Sequence, residues 1–175
     1  MLTTLLITIA VIGGLFAYLE YSVYRETTTP TKVLNAEGSK TALVIYHPGL
    51  TDYAENITNT YAEALAANGW RVEVATASPQ APTDLTKYSL LVLSWAIYDF
   101  NPAPTITDHI HRVGNLNGIN TVVIVLGGGL DPFNVKEAMT KTIEDANGNI
   151  SQVLTSYRSN RNFNQLQDEA AKLTP

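Results

Sequence analysis

The 175-residue sequence contains no cysteine. Disulfide bonds, thiolate catalysis, iron–sulfur clusters and cysteine-based zinc sites all require a cysteine sulfur atom, so the sequence excludes these four kinds of chemistry. The absence of cysteine also fits a reducing compartment, where disulfide bonds are rare.

Charged residues are few, at 15% of the chain, and acidic residues outnumber basic ones, which gives a formal net charge of -5. A protein that binds nucleic acid neutralises phosphates with a stripe of basic side chains. The sequence has no such stripe, so we expect no nucleic-acid partner. Hydrophobic residues make up 45% of the chain, which is enough for one compact domain with appendages.

Several catalytic and binding motifs are also missing. The glycines at 127–129 lack the G-x-G-x-x-G spacing of a dinucleotide loop, and no Gly-Lys pair offers a Walker loop. Ser94, Asp99 and His109 suggest a catalytic triad, but no G-x-S-x-G elbow surrounds the serine. His109 and His111 lie two residues apart in a predicted helix and face different directions, so we expect no metal site.

Residues 1–19 carry no charged side chain. A helix of this length spans about 28 Å, close to the hydrocarbon thickness of a bilayer. Tyr18, Tyr21 and Tyr24 follow where an interfacial aromatic belt would lie. We therefore predict one transmembrane anchor over residues 1–25. A cleaved signal peptide is the alternative, although no Lys or Arg precedes the apolar run and no small-x-small site follows it.

Basic residues flank the apolar segment on its C-terminal side alone. Arg25, Lys32 and Lys40 lie there, and the positive-inside rule then places the soluble domain in the cytoplasm and the N-terminus outside. Residues 26–39 contain three consecutive threonines and little apolar content. They are predicted to be a flexible linker to a domain at residues 40–175.

The domain begins with a predicted βαβ unit. Thr41–Tyr46 is a short run of β-formers, and residues 47–52 form a turn-rich loop. Tyr53–Ala67 has helical periodicity, and residues 70–76 alternate as a strand does. Such a unit crosses over right-handed into a parallel sheet.

The alternation of strands and helices continues to the C-terminus, which predicts an α/β fold with five strands. The further predicted elements are strands at 90–94, 121–126 and 149–155, a loop at 95–104, and helices at 105–113, 134–146 and 163–173. Thr105 and Asn134 are the predicted N-caps of the first two of these helices.

Three segments in this order resemble the flavodoxin family. They are the loop at 45–51, the segment 94–98 with the prolines at 102 and 104, and the glycines at 127–129 after Leu126. The resemblance covers Lys40 to Leu173. It implies a three-layer fold with a five-stranded parallel sheet in the order 2-1-3-4-5, a non-covalent FMN at the C-terminal ends of the strands, and one- or two-electron transfer.

The resemblance also implies which residues hold the cofactor. A flat aromatic ring favours aromatic walls, and glycine allows the backbone to approach a ring edge closely. Alternatively, His47, Trp95 and Tyr98 are ordinary loop residues. The residues implied are His47, Pro48, Gly49, Leu50 and Thr51 for the phosphate, Ser94, Trp95, Ile97 and Tyr98 beside the ring, and Gly127, Gly128 and Gly129 at its edge.

The phosphate loop departs from the family pattern, which carries several hydroxyls. Here Thr51 is the hydroxyl that matches, and Asp52 lies near the helix start, where its carboxylate is a good N-cap but repels a phosphate. Two hypotheses follow. The chain is a membrane-anchored FMN-binding electron carrier or small reductase that works with a redox partner protein, or it is a flavodoxin-like module without cofactor that acts as a membrane-tethered binding or scaffold protein.

Overall fold

The structure, a computed structural model, describes residues 1–129 and 134–175. Within these ranges the helices are α1 (Leu2–Tyr24), α2 (Tyr53–Ala67), α3 (Pro104–Val113), α4 (Val135–Asp145) and α5 (Phe163–Ala171). The strands are β1 (Lys32–Leu34), β2 (Thr41–Tyr46), β3 (Arg71–Thr76), β4 (Tyr88–Tyr98), β5 (Asn101–Pro102), β6 (Asn120–Gly127) and β7 (Asn149–Tyr157).

Five strands form a parallel sheet in the spatial order β3-β2-β4-β6-β7. Counted along the chain, this is the order 2-1-3-4-5. Helix α2 contacts α5, and α3 contacts α4, as expected when helix pairs cover the two faces of a doubly wound sheet. The predicted flavodoxin-like α/β fold is confirmed.

Two short antiparallel strands extend this sheet, and the sequence did not predict them. Strand β1 pairs with β3 at the sheet edge, with Lys32 opposite Val74 and Leu34 opposite Val72. Strand β5 pairs with the end of β4. Segments of two or three residues are too short to show a period, so only the partner strand defines them.

The core lies around the central strands. The side chains of Leu43, Val44 and Ile45 in β2 are fully buried, as are those of Val92 in β4 and Val123 in β6. Consecutive buried residues are expected where helices cover both faces of a parallel sheet. Burial of each such side chain contributes about 1.5–3 kcal/mol.

Strand β4 is longer than predicted, so the predicted loop at 95–104 is wrong over its first half. Trp95 and Ala96 still pair with β6, because β6 itself continues to Gly127. The chain then reverses in a two-residue turn, in which Asp99 and Phe100 have φ of 46° and 62°. Positive φ at both central residues is what a type I′ hairpin turn requires.

The N-cap of helix α3 lies two residues earlier than predicted. It is Ala103 and not Thr105, and Pro104 occupies the first turn. Proline suits this position because its missing N–H would have no helical partner. Asn134 is the N-cap residue of α4, as predicted.

Helix α1 is a candidate membrane span by length and composition, with a mean hydropathy of 2.2. Residues 2–21 are exposed, and the helix meets the domain at its last turn, where Val23 is buried. The following residues, predicted as a flexible linker, lie along the domain instead. Glu26 forms an ion pair with Arg112 of α3 at 2.6 Å, and the Thr29 N–H donates to Thr76 Oγ1 at 3.1 Å.

Candidate functional site

A cavity of about 250 Å³ lies at the C-terminal ends of β2, β4 and β6. Strands β3 and β4 flank β2 on opposite sides, so the chain order reverses here, and α/β proteins bind ligands at such a point. The lining residues are Pro48, Gly49, Leu50, Thr51, Tyr53, Ala54, Ala96, Ile97, Tyr98, Leu126, Gly127, Gly128 and Arg158.

The loop from β2 to α2 forms one wall of this cavity. Gly49 has φ of 66°, a conformation that favours glycine, and a Cβ atom at this position would collide with the Tyr98 hydroxyl. Four of the five residues predicted for the phosphate, 48–51, line the cavity. The turn at Gly49 brings this loop against Tyr98 at the end of β4.

Helix α2 begins at this wall. Asp52 occupies the N-cap position, as predicted, but its exposed side chain makes no capping hydrogen bond to any residue that the structure describes. Tyr53 and Ala54, the first two residues of the helix, line the cavity. The N–H groups of a first helical turn have no helical acceptor, so this helix presents unpaired donors and the positive end of its dipole at the cavity.

The C-terminal end of β4 forms the opposite wall, where two of the residues predicted beside the ring lie. Ile97 and Tyr98 line the cavity. The Tyr98 ring stands edge-on to the His47 ring, with 6.4 Å between centroids and 87° between planes. Burial raises the pKa of Tyr98, and the charge of Arg158 opposes that rise, so the hydroxyl stays protonated near neutral pH.

Trp95 and Ser94 do not reach the cavity. Trp95 is fully buried, and its Nε1–H donates to the Ala103 carbonyl at 2.9 Å. Ser94 is also fully buried, and its Oγ has no hydrogen-bond partner in the described chain. Both were placed in or beside a loop because β4 was predicted to end at Ser94. In the longer strand they lie among core side chains.

The glycine segment after β6 forms the third wall. Gly127 and Gly128 line the cavity, whereas Gly129 does not. A Cβ atom at Gly127 would lie 3.1 Å from Cδ1 of Tyr157, so only glycine fits there without displacing the tyrosine ring. Around Gly128 the described residues leave open space. The backbone at this position is therefore accessible to a ligand.

His47 follows β2 but does not line the cavity. Its ring is buried, and neither nitrogen makes a hydrogen bond within residues 1–129 and 134–175. Burial lowers the pKa of His47, although the nearby Val23 backbone and the Glu26 carboxylate act in the opposite sense. The imidazole is therefore neutral at pH 7 and adds no positive charge for a phosphate.

Arg158 is a cavity residue that the sequence analysis missed. It follows β7, and its N–H donates to the Gly127 carbonyl at 3.0 Å. It is close enough to oppose the rise in pKa that burial causes at Tyr53 and Tyr98. The rule that carboxyl ends of parallel strands meet at one edge could have identified it, because it lies three residues after the predicted last strand, 149–155.

Comparison with known proteins places the fold. No model of a known protein family matches the chain, and no curated protein matches its sequence. Solved structures do match. A flavodoxin from the domain Archaea has a TM-score of 0.63 at 7% identity, and the match covers 75% of this chain and 94% of that one.

Two further structures give the same result. The two-electron reduced flavodoxin of Megasphaera elsdenii matches with a TM-score of 0.62 at 15% identity, over 75% of this chain and 99% of that one. The azoreductase AzrA matches with a TM-score of 0.62 at 7% identity, over 76% of this chain and 100% of that one. At such low identities the likeness establishes the fold, and the chain has the flavodoxin-like fold.

Proposed function

We propose that this protein binds FMN and transfers electrons, as a carrier or small reductase, from a domain anchored to the membrane by α1. The observation that carries the proposal is the cavity at the carboxyl ends of the parallel strands, where an uncapped helix N-terminus and open glycine backbone meet. Flavodoxins and an azoreductase among the structural neighbours support the same chemistry.

The phosphate end of FMN fits the wall formed by the β2–α2 loop. The first-turn N–H groups of α2 are donors without a side-chain cap in the described chain, and such a helix end binds anions. Thr51 offers a hydroxyl, and Arg158 brings a guanidinium to the same cavity. The arginine adds positive charge to the cavity, whereas Asp52 at the start of α2 opposes a phosphate bound there.

The ring end fits the opposite side of the cavity. Ala96, Ile97 and Tyr98 supply an apolar and aromatic wall, and Gly127 and Gly128 supply backbone close to a ring edge. When bound, FMN supplies one- or two-electron transfer. The residues of this chain bind and orient it, and the apolar wall keeps water from the face of the ring.

The proposed membrane anchor rests on α1. Its 23 residues reach about 34 Å at helical rise, long enough to cross a bilayer. Arg25, Lys32 and Lys40 favour a cytoplasmic domain. Deletion of residues 1–25 should release a soluble, folded domain, as measured by vesicle flotation and circular dichroism. A full-length protein that stays soluble with its N-terminus intact would contradict the anchor.

A second candidate is a flavodoxin-like module without cofactor that acts as a membrane-tethered binding or scaffold protein. One contact favours it: the Tyr98 hydroxyl lies against Gly49 and closes the gap between the two loops. Thr51 is also the single hydroxyl residue among positions 48–51, which leaves few side-chain donors for a phosphate.

Titration of the purified protein with FMN separates the two candidates. We expect quenching of flavin fluorescence that saturates with protein concentration, and flavin absorbance in the protein as purified. The same titration with riboflavin, which lacks the phosphate, should give weaker binding if the α2 N-terminus holds the phosphate. No quenching with FMN at tens of micromolar would contradict the proposal and favour the scaffold.

A further inference from the structure

With α1 anchored as proposed, the position of its C-terminal end determines how near the domain lies to the bilayer. Tyr18, Tyr21 and Tyr24 are exposed, and tyrosines at the end of a membrane span lie at the headgroup level. Val23, between the last two of them, is 9% exposed, and its backbone lies beside His47. The surface of the domain around His47 is therefore at headgroup level.

The chain directly after α1 is fixed to the domain. The Glu26 carboxylate pairs with Arg112 at 2.6 Å, and the Thr28 hydroxyl donates to Gln80 at 2.7 Å. Strand β1 then pairs with β3. Only a short connection therefore separates the end of α1 from the surface of the domain, which keeps the domain close to the bilayer.

The cavity opens at this same end of the domain. His47 is followed directly by Pro48, which lines the cavity, and the Tyr98 ring of the opposite wall lies 6.4 Å from the His47 ring. The point where the anchor meets the domain is thus next to two cavity walls. The opposite edge of the sheet, where Ser89 is exposed, is separated from it by the length of the strands.

Exposed apolar side chains occur at the cavity rim. Apart from α1, the large hydrophobic residues that are exposed in the described chain are Val33, Leu50, Phe100 and Val153. Leu50 is 47% exposed and lines the cavity, and Phe100 is 64% exposed at the tip of the β4–β5 turn. Phe100 also has a positive φ of 62°, which is strained for a bulky residue, and such strain is commonly kept for function.

We infer that the cavity end of the domain docks on the bilayer that holds α1, with Leu50 and Phe100 inserted among the headgroups. The inference rests on the proposed anchor but needs no bound flavin. Apolar side chains of surface-bound segments reach about 5–10 Å into the headgroup and acyl boundary.

The absence of cysteine makes a depth measurement direct. Leu50→Cys, Phe100→Cys and, as the matched control at the other sheet edge, Ser89→Cys are each labelled with the fluorophore NBD in the full-length chain. Each is reconstituted into phosphatidylcholine–phosphatidylglycerol vesicles with and without brominated acyl chains. We expect blue-shifted emission and quenching by brominated lipid at positions 50 and 100, and neither change at position 89.

A second variant tests whether insertion causes the shift. Phe100→Asp, added to Leu50→Cys, suits the left-handed backbone better than phenylalanine and places a charge at the membrane surface. We expect it to return the emission at position 50 toward the value in water. Labels at 50 and 100 that behave like the one at 89, in protein that floats with the vesicles, would overturn the docking. Failure to float would overturn the anchor, and neither result depends on FMN.

Discussion

At the N-terminal edge of the parallel strands, the buried Glu73 carboxylate accepts hydrogen bonds from Tyr88 at 2.6 Å and from Lys87 at 2.9 Å. At the C-terminal edge, the buried ring of His47 has no hydrogen-bond partner in the described part of the chain. Three other buried side chains also have no hydrogen-bond partner among the described residues, those of Ser94 on β4 and of Thr105 and His109 on α3. An unpaired buried polar group costs about 1–3 kcal/mol.

Gly49, in the β2–α2 loop, and Asp99 and Phe100, in the β4–β5 turn, have positive φ, but so do Asn35, Gly69, Asn117 and Asn147 in loops at the other end of the strands. Among these residues Phe100 is the bulky one, for which a positive φ is strained. Proteins break local rules at functional sites and compensate elsewhere. At the N-terminal ends of the strands, the hydrogen bonds of Glu73 and the bond from Trp70 to the C-terminal segment stabilise the fold. We expect them to compensate for the unpaired polar groups near the cavity.

The largest expected effect is a loss of stability when Trp70, at the N-terminal ends of the strands, is replaced. Trp70 is 5% exposed, and its Nε1–H donates to the Leu173 carbonyl at 2.9 Å. Trp70→Ala should lower the free energy of unfolding by about 3–5 kcal/mol, measured by urea denaturation. FMN affinity of the folded fraction should not change, because the residue lies at the other edge. A fall in affinity at temperatures where the variant is folded would contradict the separation of the two edges.

The next largest expected effect is a loss of FMN affinity when Tyr98, in the cavity wall, is replaced. Tyr98→Ala removes an aromatic wall and its buried area, together about 2–3 kcal/mol, which weakens FMN binding by roughly 30- to 150-fold. The measurement is flavin fluorescence quenching, and Tyr98→Phe is the control that keeps the ring.

Trp95→Phe provides a second control for the same wall. Trp95 was predicted beside the ring but is fully buried and bonded to Ala103. This variant should lower stability and leave FMN affinity unchanged. Weaker binding from Trp95→Phe together with unchanged binding from Tyr98→Ala would move the ring site to the other side of β4.

A smaller effect concerns Glu73. Burial by itself raises the pKa of Glu73, but hydrogen bonds from Tyr88, Lys87 and Arg71 outweigh it, so the pKa lies below the ordinary 4.5. Because the folded-state pKa is lowered, the ionised Glu73 carboxylate and its hydrogen bonds stabilise the folded protein above pH 4.5. This stabilisation is lost as the pH falls through the folded-state pKa.

Tyr88→Phe should therefore cost about 1.5–3 kcal/mol at neutral pH, as expected for a hydrogen bond to a charged group. The difference from the parent should shrink as the pH falls below 4.5 and the carboxyl becomes protonated. Urea denaturation at a series of pH values measures both quantities. A destabilisation that is constant from pH 7 to pH 3 would show that the hydroxyl acts through packing and not through the carboxylate.

The order of elements could be predicted from sequence, but the depth of individual residues in them could not. Leu43, Val92 and Val123 lie in runs long enough to mark buried strands. The end of β4 was missed because Trp95-Ala96-Ile97-Tyr98 followed by prolines looks like a loop until β6 pairs with it. Because β4 continues to Tyr98, Tyr98 and not Trp95 lines the cavity.

Tertiary contacts also explain the other missed features. Residues 26–39 have the composition of a linker, and only the exposed edge of β3 makes Lys32–Leu34 a strand. Arg158 lies far along the chain from the predicted phosphate loop, and parallel pairing of β7 with β6 brings it to the cavity. Local sequence periodicity does not indicate that β1 pairs with β3 or that β7 pairs with β6.

The smallest expected effect concerns Asp52 at the start of α2. Its carboxylate makes no capping hydrogen bond within the described residues, so its removal costs the helix little, and asparagine is an equally good N-cap residue. A charge at a helix terminus contributes about 0.3–1 kcal/mol at low salt. If that charge opposes the phosphate, Asp52→Asn should tighten FMN binding roughly two- to fivefold, most clearly at low ionic strength.

The matched control is Asp168→Asn, which removes one exposed charge from α5 and alters net charge equally. Titrations at about 10 mM and about 500 mM salt, where screening is weak and strong respectively, separate the local effect of the Asp52 charge from the effect of net charge. Tightening from Asp52→Asn alone, lost at high salt, places the phosphate at the α2 N-terminus. Equal tightening from both variants would mean that net charge acts at long range, and would contradict a phosphate held next to Asp52.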